Sequence, residues 1–280
     1  MKNTFPEFYA SLPFTFKSSV NFYHRSEFLI MLNFFRTPSC ETESIRLELN
    51  NPCLISDLHL DIFQEKDLRS LRVFLNEQAA SFDELVILGD FFDYWVGDDS
   101  IKSAIALVDL LRGFSKSHRV FLMHGNRDFM IGQQLAKHIN ARLITDPCLA
   151  HIGKAQYLLS HGDLWCTQDS DYQRVRARVR SFWWQWLVLR LPLSKRLAIA
   201  QNARKKSQYH KNDKSAEMMD VVADSVLRSC TPDTVGVIHG HTHRPGRIQL
   251  TDTLNRWVIP DWRTINDDAV SYTHLTLPTT

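Results

Sequence analysis

Short apolar runs alternate with longer stretches of helical pattern from Cys53 onward. The runs have the length of buried strands, and the stretches between them leave room for covering helices, so the pattern predicts alternating strands and helices. Each of five runs ends directly in a cluster of polar residues. These runs are Leu54-Ile55, Leu85–Leu88, Val120–Met123, Tyr157–Leu159 and Val235–Ile238. Such an alternation is typical of a layered α/β fold.

The polar clusters share carboxylate, amide and imidazole side chains. Their candidate metal ligands are Asp57, His59, Asp90, Asn126, His161, His239 and His241. In layered α/β folds the carboxyl ends of the strands open on a common crevice, so we expect these side chains to converge. Oxygen and imidazole ligands without cysteine suit Mn²⁺, Mg²⁺, iron or zinc in a hydrolytic site, and we expect Mn²⁺. The alternative, that five loops simply carry polar turn residues, does not explain the recurring histidines and carboxylates.

The composition excludes several classes of protein. Hydrophobic residues make up 44% of the chain, charged residues 23%, and the formal net charge is +2, which is typical of a globular enzyme rather than a disordered or fibrous chain. The five cysteines are scattered without a C-x-x-C pair, which favours a reducing, cytoplasmic compartment. No apolar stretch approaches the roughly 20 residues of a membrane-spanning helix, and no secretory signal is evident.

The motifs as a set resemble the calcineurin-like metallophosphoesterase family. The resemblance rests on Asp57-x-His59, Gly89-Asp90-x-x-Asp93, Gly125-Asn126, His161 and Gly240-His241, and it covers nearly all of residues 53–245. It implies a layered β-sandwich flanked by helices, holding two Mn²⁺ ions, with Mg²⁺ or another divalent metal as the alternative. The implied ligands are Asp57, His59, Asp90 and His241 for one ion, and Asp90, Asn126, His161 and His239 for the other. Asp90 would bridge the two ions.

Arg127 departs from the usual pattern of this family, in which a proton-donating histidine follows the asparagine. Arginine stays cationic, so it can stabilise charge on phosphate oxygens but cannot donate a proton. A leaving group that is itself a phosphate monoester scarcely needs a proton. The arginine therefore favours a diphosphate substrate over an alkyl ester. The other interpretation is that Arg127 merely pairs with Asp93 or Asp128 on the surface.

Further motifs resemble one branch of this family, which cleaves the diphosphate of a UDP-linked diacylglucosamine during lipid A synthesis in Gram-negative bacteria. They are Gly89–Asp99, His124–Phe129, His161–Asp169 and Met218–Val221. The resemblance implies that metal-activated water attacks the α-phosphorus, giving UMP and 2,3-diacylglucosamine 1-phosphate. It implies catalytic roles for Arg127, Asp90 and His239. The implied substrate contacts are Asn126, Arg127, Asp169, Ser207, Lys211, Lys214 and His239.

Two alternatives to this activity stay open from the sequence. Another calcineurin-like phosphoesterase, such as a nucleotide pyrophosphatase or phosphodiesterase, would share the metal centre. A non-catalytic scaffold with the same fold is disfavoured, because all seven expected ligands are present.

A basic, tryptophan-rich stretch separates the fourth polar cluster from the fifth. Between Tyr172 and Asn212 there are eleven Lys or Arg residues and no acidic residue, interleaved with Trp and Leu. This pattern predicts a helical insert, at about residues 170–228, that forms a lipid-binding cap on an anionic membrane surface. The protein would then lie peripherally on the cytoplasmic face of the inner membrane. The alternatives are a solvated helical cap or a nucleic-acid surface, and the aliphatic content disfavours the latter.

The two ends of the chain carry none of these motifs. Residues 1–49 are interpreted as an N-terminal extension, either native or the product of a misassigned start. Residues 50–269 are predicted to form the metallophosphoesterase domain. Residues 270–280 match no expected final strand and are interpreted as a sequencing or cloning artefact. We expect no nucleic-acid partner, and no obligate protein partner is evident.

Overall fold

The structure, a computed structural model, describes residues 46–213, 218 and 220–262, without the side chains of 206 and 208–213. A four-stranded parallel sheet is formed by β2 (Pro52–Ile55), β3 (Glu84–Ile87), β4 (Arg119–Met123) and β5 (Ala141–Ile144), in that order. All residues of β2 and β3 are buried. Strands that are covered on both faces read as continuous apolar runs, which explains the run pattern in the sequence.

A second, six-stranded sheet is mixed. Its strands are β1 (Leu47–Leu49), β6 (Cys148–Ile152), β7 (Ala155–Ser160), β8 (Thr234–His239), β9 (Gly246–Gln249) and β10 (Asn255–Val258). Their order is β1-β6-β7-β8-β10-β9, in which β7, β8 and β10 run parallel to one another. This sheet includes three residues that the sequence pattern placed in the N-terminal extension, because β1 is too short to show a period. Leu47 and Leu49 are buried, and β1 pairs with β6.

Seven α-helices accompany the sheets within the described residues. They are α1 (Glu65–Val73), α2 (Ile105–Phe114), α3 (Gln133–His138), α4 (Ser170–Val179), α5 (Phe182–Leu189), α6 (Leu193–Asp213) and α7 (Ala223–Leu227). A π-helical turn, Phe74–Gln78, continues α1. Helices α4 to α7 occupy the stretch predicted as a helical insert. None of the helices in the described part of the chain is both long enough and apolar enough to span a membrane.

Alternating side chains of the strands divide the core into layers. Leu54 and Val86 face the space between the two sheets, where they meet Leu159 and Ile238. Their neighbours in β2 and β3 point the other way, into a cluster that includes Leu71 of α1 and Val108 of α2. The outer face of the six-stranded sheet is covered by Trp165 and by Val226 of α7. The predicted sandwich of two sheets flanked by helices is therefore confirmed.

Helices α5 and α6 of the insert both contact this core. Trp184 and Val188 of α5 pack against the helix-covered side of the four-stranded sheet, and Trp184 lies 6.1 Å from the Phe129 ring. The Arg196 guanidinium in α6 is buried and donates to the Val96 carbonyl and to Asp99. The insert therefore has one face packed on the domain.

Candidate metal centre

The carboxyl ends of five strands supply the predicted ligands. Asp57 and His59 follow β2, Asp90 follows β3 and Asn126 follows β4, all in the four-stranded sheet. His161 follows β7, and His239 ends β8, in the six-stranded sheet. The parallel direction of these strands brings both sets to the same end of the sandwich. Contacts across the two sets show that they meet.

The Asp90 carboxylate lies at the middle of these contacts. Its Oδ2 atom is 3.7 Å from His59 Nδ1 and 3.8 Å from His161 Nε2. Asp57 Oδ1 is 3.7 Å from His59 Nε2. Asp57, Asp90 and His161 each offer a ligand atom within 4.8 Å of the other two, and all three residues are buried. This spacing is suited to a shared cation.

The Asn126 side chain contacts two histidines, His161 and His241, that follow strands of the six-stranded sheet. Its Oδ1 atom is 2.9 Å from His161 Nε2 and 3.0 Å from His241 Nδ1. His161 Nδ1 lies 2.9 Å from the Leu88 carbonyl and donates to it, so the Nε2 atom of a neutral His161 carries a lone pair. Two acceptors then face each other at Nε2 and Oδ1. A metal ion bound between them would satisfy both acceptors.

His239 offers a ligand atom of the right kind. Its Nδ1 atom lies 2.8 Å from the Gly240 carbonyl, whereas its Nε2 atom is buried and has no hydrogen-bond partner among the described residues. Burial, with the charge of Arg256, lowers the pKa of His239 to about 4. The imidazole is therefore neutral at physiological pH, as a metal ligand must be.

Electrostatics also favours a cation here. Burial, together with the Asp128 and Asp57 carboxylates, raises the pKa of Asp90 to about 7 despite the nearby His161 and Arg127. Although burial acts in the opposite direction, the Asp90 and Asp57 carboxylates raise the pKa of His161 to about 9. A buried carboxylate such as Asp90 resists ionisation until a positive charge joins it. The residues present fit a divalent metal ion.

The backbone at the centre is strained. Non-glycine residues rarely adopt the left-handed conformation, and where they do so the strain usually serves a functional site. Four of the predicted ligands have positive φ angles: Asp57 (56°), His59 (49°), Asp90 (51°) and His241 (68°). His243 (53°) does so as well. The turns that leave β2, β3 and β8 therefore point side chains inward at a conformational cost.

Asp128, for which the sequence motifs predicted no functional role, holds together the turns that follow β3 and β4. It is fully buried and accepts from the backbone N–H groups of Gly125 (2.8 Å), Asp90 (3.3 Å) and Phe91 (2.8 Å). It thus acts on the ligands through their backbone. In the sequence, its position within the His124–Phe129 motif could have indicated this role.

His243 is a second residue without a predicted role. Its Nε2 atom is 3.3 Å from Asp57 Oδ1 and 3.4 Å from His59 Nε2, and its Nδ1 atom is 3.3 Å from Asp261. Burial acts to lower the pKa of His243, but the bonds to Asp261 and Asp57 raise it to about 9. Asp57, His59 and His243 form a further group with metal-ligand spacing. In the sequence, its position two residues after His241 could have indicated that it belongs to the centre.

Arg127 lies beside the centre rather than on the open surface. Its backbone N–H donates to Asp90 Oδ1 (2.8 Å), and its Nε atom is 3.8 Å from Asp90 Oδ2. Its Nη1 atom donates to Asp93 Oδ1 (2.9 Å), and the Asp93 carboxylate is almost fully buried. The alternative pairing with Asp93 is therefore present, but it holds the guanidinium next to Asp90.

Asp163 anchors the first helix of the insert beneath the histidines. Its Oδ2 atom accepts from the Tyr172 hydroxyl (2.7 Å), from Arg176 Nε (2.8 Å) and from Arg180 Nη2 (3.3 Å). Arg180 also donates to the Gly125 carbonyl at 2.9 Å. Helix α4 is thus tied to the turns that carry Asn126 and His161.

The predicted substrate contacts in the insert fall in several environments. Asp169 caps α4, where its side chain accepts from the Tyr172 N–H (3.0 Å). Ser207 is exposed on α6. Lys211 belongs to α6 by its backbone, but its side chain, like the whole of Lys214, lies outside the described residues.

The fold and this site together define a phosphoesterase with a metal centre. The model of the calcineurin-like phosphoesterase family matches residues 53–245, more than half of the chain. The chain belongs to this family and is a metal-dependent hydrolase.

Two similar sequences carry the same protein name, and one solved structure is a more distant match. A UDP-2,3-diacylglucosamine hydrolase from Bordetella parapertussis is 40% identical over 228 residues, which cover 78% of this chain and 88% of the relative. One from Azotobacter vinelandii is 40% identical over 218 residues, covering 75% and 89%. Among solved structures, a dimetal phosphatase from Danio rerio shares 13% identity with a TM-score of 0.43, covering 76% of this chain and 88% of that one.

Proposed function

We propose that this protein hydrolyses the pyrophosphate bond of UDP-2,3-diacylglucosamine, giving UMP and 2,3-diacylglucosamine 1-phosphate in lipid A biosynthesis. The observation that carries the proposal is the 40% identity to UDP-2,3-diacylglucosamine hydrolases over 88–89% of their length. The position of Arg127 beside Asp90 supports it, because that arrangement suits a diphosphate.

We infer that the centre holds two divalent ions, with Mn²⁺ as the expected metal. The first site would comprise Asp57, His59, Asp90 and His241, and the second Asp90, Asn126, His161 and His239. Such ions, when bound, activate a water molecule as nucleophile and neutralise charge on the phosphate. Asp90 would serve both sites from the middle of the cluster.

The protein's own residues orient the substrate in this proposal. Arg127 stabilises the charge that develops on the phosphate oxygens, and its contact with Asp93 fixes the guanidinium on the Asp90 side. Asn126 and His239 contact the reacting phosphate. Asp169, Ser207, Lys211 and Lys214 bind the remainder of the substrate, where the two lysines would attract its phosphates. The phosphate leaving group departs without a proton donor.

The insert would bring the enzyme to its lipid. The outward side of α5 exposes several large apolar side chains: Phe182 (53%), Trp183 (68%), Leu187 (47%) and Leu189 (47%). The Arg190 guanidinium lies 3.2 Å from the centre of the Trp186 ring. Aromatic and aliphatic bulk beside cations is suited to an anionic bilayer surface. We infer that this side of α5 docks on the membrane and that the insert forms a cap over the acyl chains.

A direct assay tests the activity. Purified protein with Mn²⁺ and UDP-2,3-diacylglucosamine in detergent micelles should release UMP and the acylated sugar 1-phosphate, both identified by mass spectrometry. In ¹⁸O-labelled water the label should enter UMP, because the attack is at the α-phosphorus.

Two controls distinguish the rival activities. UDP-glucose tests for a general nucleotide pyrophosphatase, and bis(p-nitrophenyl) phosphate tests for a general phosphodiesterase. Faster turnover of either control than of the lipid would refute the proposal, as would label in the sugar phosphate.

A further inference from the structure

One buried carboxylate in the structure serves two arginines from distant parts of the chain. The Asp93 side chain is 1% exposed. Arg127 donates to its Oδ1 atom at 2.9 Å, and Arg204 of α6 forms an ion pair with its Oδ2 atom through Nη1. The two cations thus occupy different oxygens of the same group.

Arg204 is committed to this contact. Its Nε atom is buried and has no hydrogen-bond partner among the described residues. The ion pair with Asp93 is the one salt bridge that this guanidinium makes within the described part of the chain. The Arg204 side chain is 33% exposed, and its ion pair with the buried Asp93 carboxylate holds the guanidinium in place.

Helix α6 is held on the loop that carries Asp93. Arg196 donates to the Val96 carbonyl and to Asp99, and its side chain is 3% exposed. A Cβ atom added to Gly97 would lie 2.8 Å from Leu189, which shows how closely the insert approaches this loop. Arg204 therefore reaches Asp93 from a fixed position.

We propose that Arg204 is a positioning residue for Arg127 and acts through Asp93. With both arginines present, Asp93 shares its charge between them, and the Arg127 guanidinium stays within 3.8 Å of Asp90 Oδ2. Without Arg204, the buried Asp93 carboxylate would attract the Arg127 guanidinium more strongly and draw it away from Asp90. The inference rests on the proposed function for the catalytic role of Arg127.

A double-mutant cycle tests this relationship. Arg127→Ala should lower kcat about a hundredfold, and Arg204→Ala should lower kcat about tenfold with KM changed less than about twofold. The double variant should be no slower than Arg127→Ala alone, because Arg204 acts through the residue already removed. Arg204→Lys should recover part of the loss. Gln201→Ala, an exposed change on the same helix, should have no effect.

Several outcomes would overturn the inference. Additive losses, near a thousandfold in the double variant, would mean that Arg204 acts independently of Arg127. A loss confined to KM would make it a binding residue. If the wild-type protein does not cleave the lipid substrate, the proposed function fails on its own, and the cycle is then measured with bis(p-nitrophenyl) phosphate. A crystal structure of Arg204→Ala gives a readout without substrate: an unmoved Arg127 side chain would refute the positioning role.

Discussion

At the scale of single residues, the metal centre depends on groups that are not ligands. Asp57, Asp90 and His241 have positive φ angles, so their turns are not the conformation that the isolated peptide prefers. Asp128 offsets part of that cost, because its two oxygens accept hydrogen bonds from four backbone N–H groups of the turns. These donors belong to Gly125, Asp90, Phe91 and Phe92. The geometry of the turns that carry Asp90 and Asn126 therefore depends on one buried carboxylate.

Replacing Asp128 by asparagine should expose this dependence. The amide NH₂ group would face backbone N–H donors, leaving buried groups unpaired, so we expect a loss of about 2 kcal/mol or more in the free energy of unfolding. Affinity for Mn²⁺ should fall about tenfold to a hundredfold, since the supporting shell is disturbed. Urea denaturation of the metal-free protein and calorimetric Mn²⁺ titration measure the two effects. Asp109→Asn, at an exposed carboxylate, is the control; equal behaviour of the two variants would contradict this role.

Short motifs predicted the ligands because each ligand follows its strand within a few residues. Asn126 and His161 could be selected in this way, since chemistry and strand end coincide in the sequence. Arg204 could not, because it is one of many cations on a long helix, and its partner Asp93 lies in another part of the chain. Side chains that act across elements leave no local signal.

At the scale of elements, five of the ten strands were predictable, and their distribution between the two sheets was not. β2, β3 and β4 form one sheet, whereas β7 and β8 belong to the other, although all five have the same pattern of an apolar run and a polar end. Pairing depends on register between distant residues, and a single sequence does not show it. The resemblance to a known family, rather than the periodicity, indicated a sandwich.

Helix α5 should determine membrane binding. Trp183 is 68% exposed, so its replacement by glutamate removes an aromatic anchor without disturbing the core. We expect the affinity for phosphatidylglycerol vesicles to fall by about 2 kcal/mol, or roughly thirtyfold. Vesicle flotation measures this, and turnover of bis(p-nitrophenyl) phosphate should be retained.

Ile105→Glu provides the matched control for Trp183→Glu. Ile105 is 42% exposed and lies at the start of α2, outside the insert. The same fall in vesicle binding for both variants would show that charge alone explains the effect. No binding by the wild-type protein would exclude the docking surface.

At the scale of the whole molecule, the metal centre joins the two sheets. Asp57, Asp90 and Asn126 come from the four-stranded sheet, and His161 and His239 come from the six-stranded sheet. Acceptor atoms from the two sheets approach closely, as Asn126 Oδ1 and His161 Nε2 do at 2.9 Å. A cation there would connect the halves of the sandwich.

Mn²⁺ should therefore stabilise the entire domain and not only its site. Binding to the native state alone contributes about 2.7 kcal/mol at a free ion concentration of 100 times Kd. For a chain of this size that corresponds to a rise in Tm of about 5 to 10 °C. Thermal unfolding with EDTA and with Mn²⁺ measures the difference. His161→Ala should remove most of the rise, whereas His151→Ala, on β6 and away from the centre, should keep it. An equal rise in both variants would place the stabilising ion elsewhere, because His161 is the residue through which the six-stranded sheet reaches both Asp90 and Asn126.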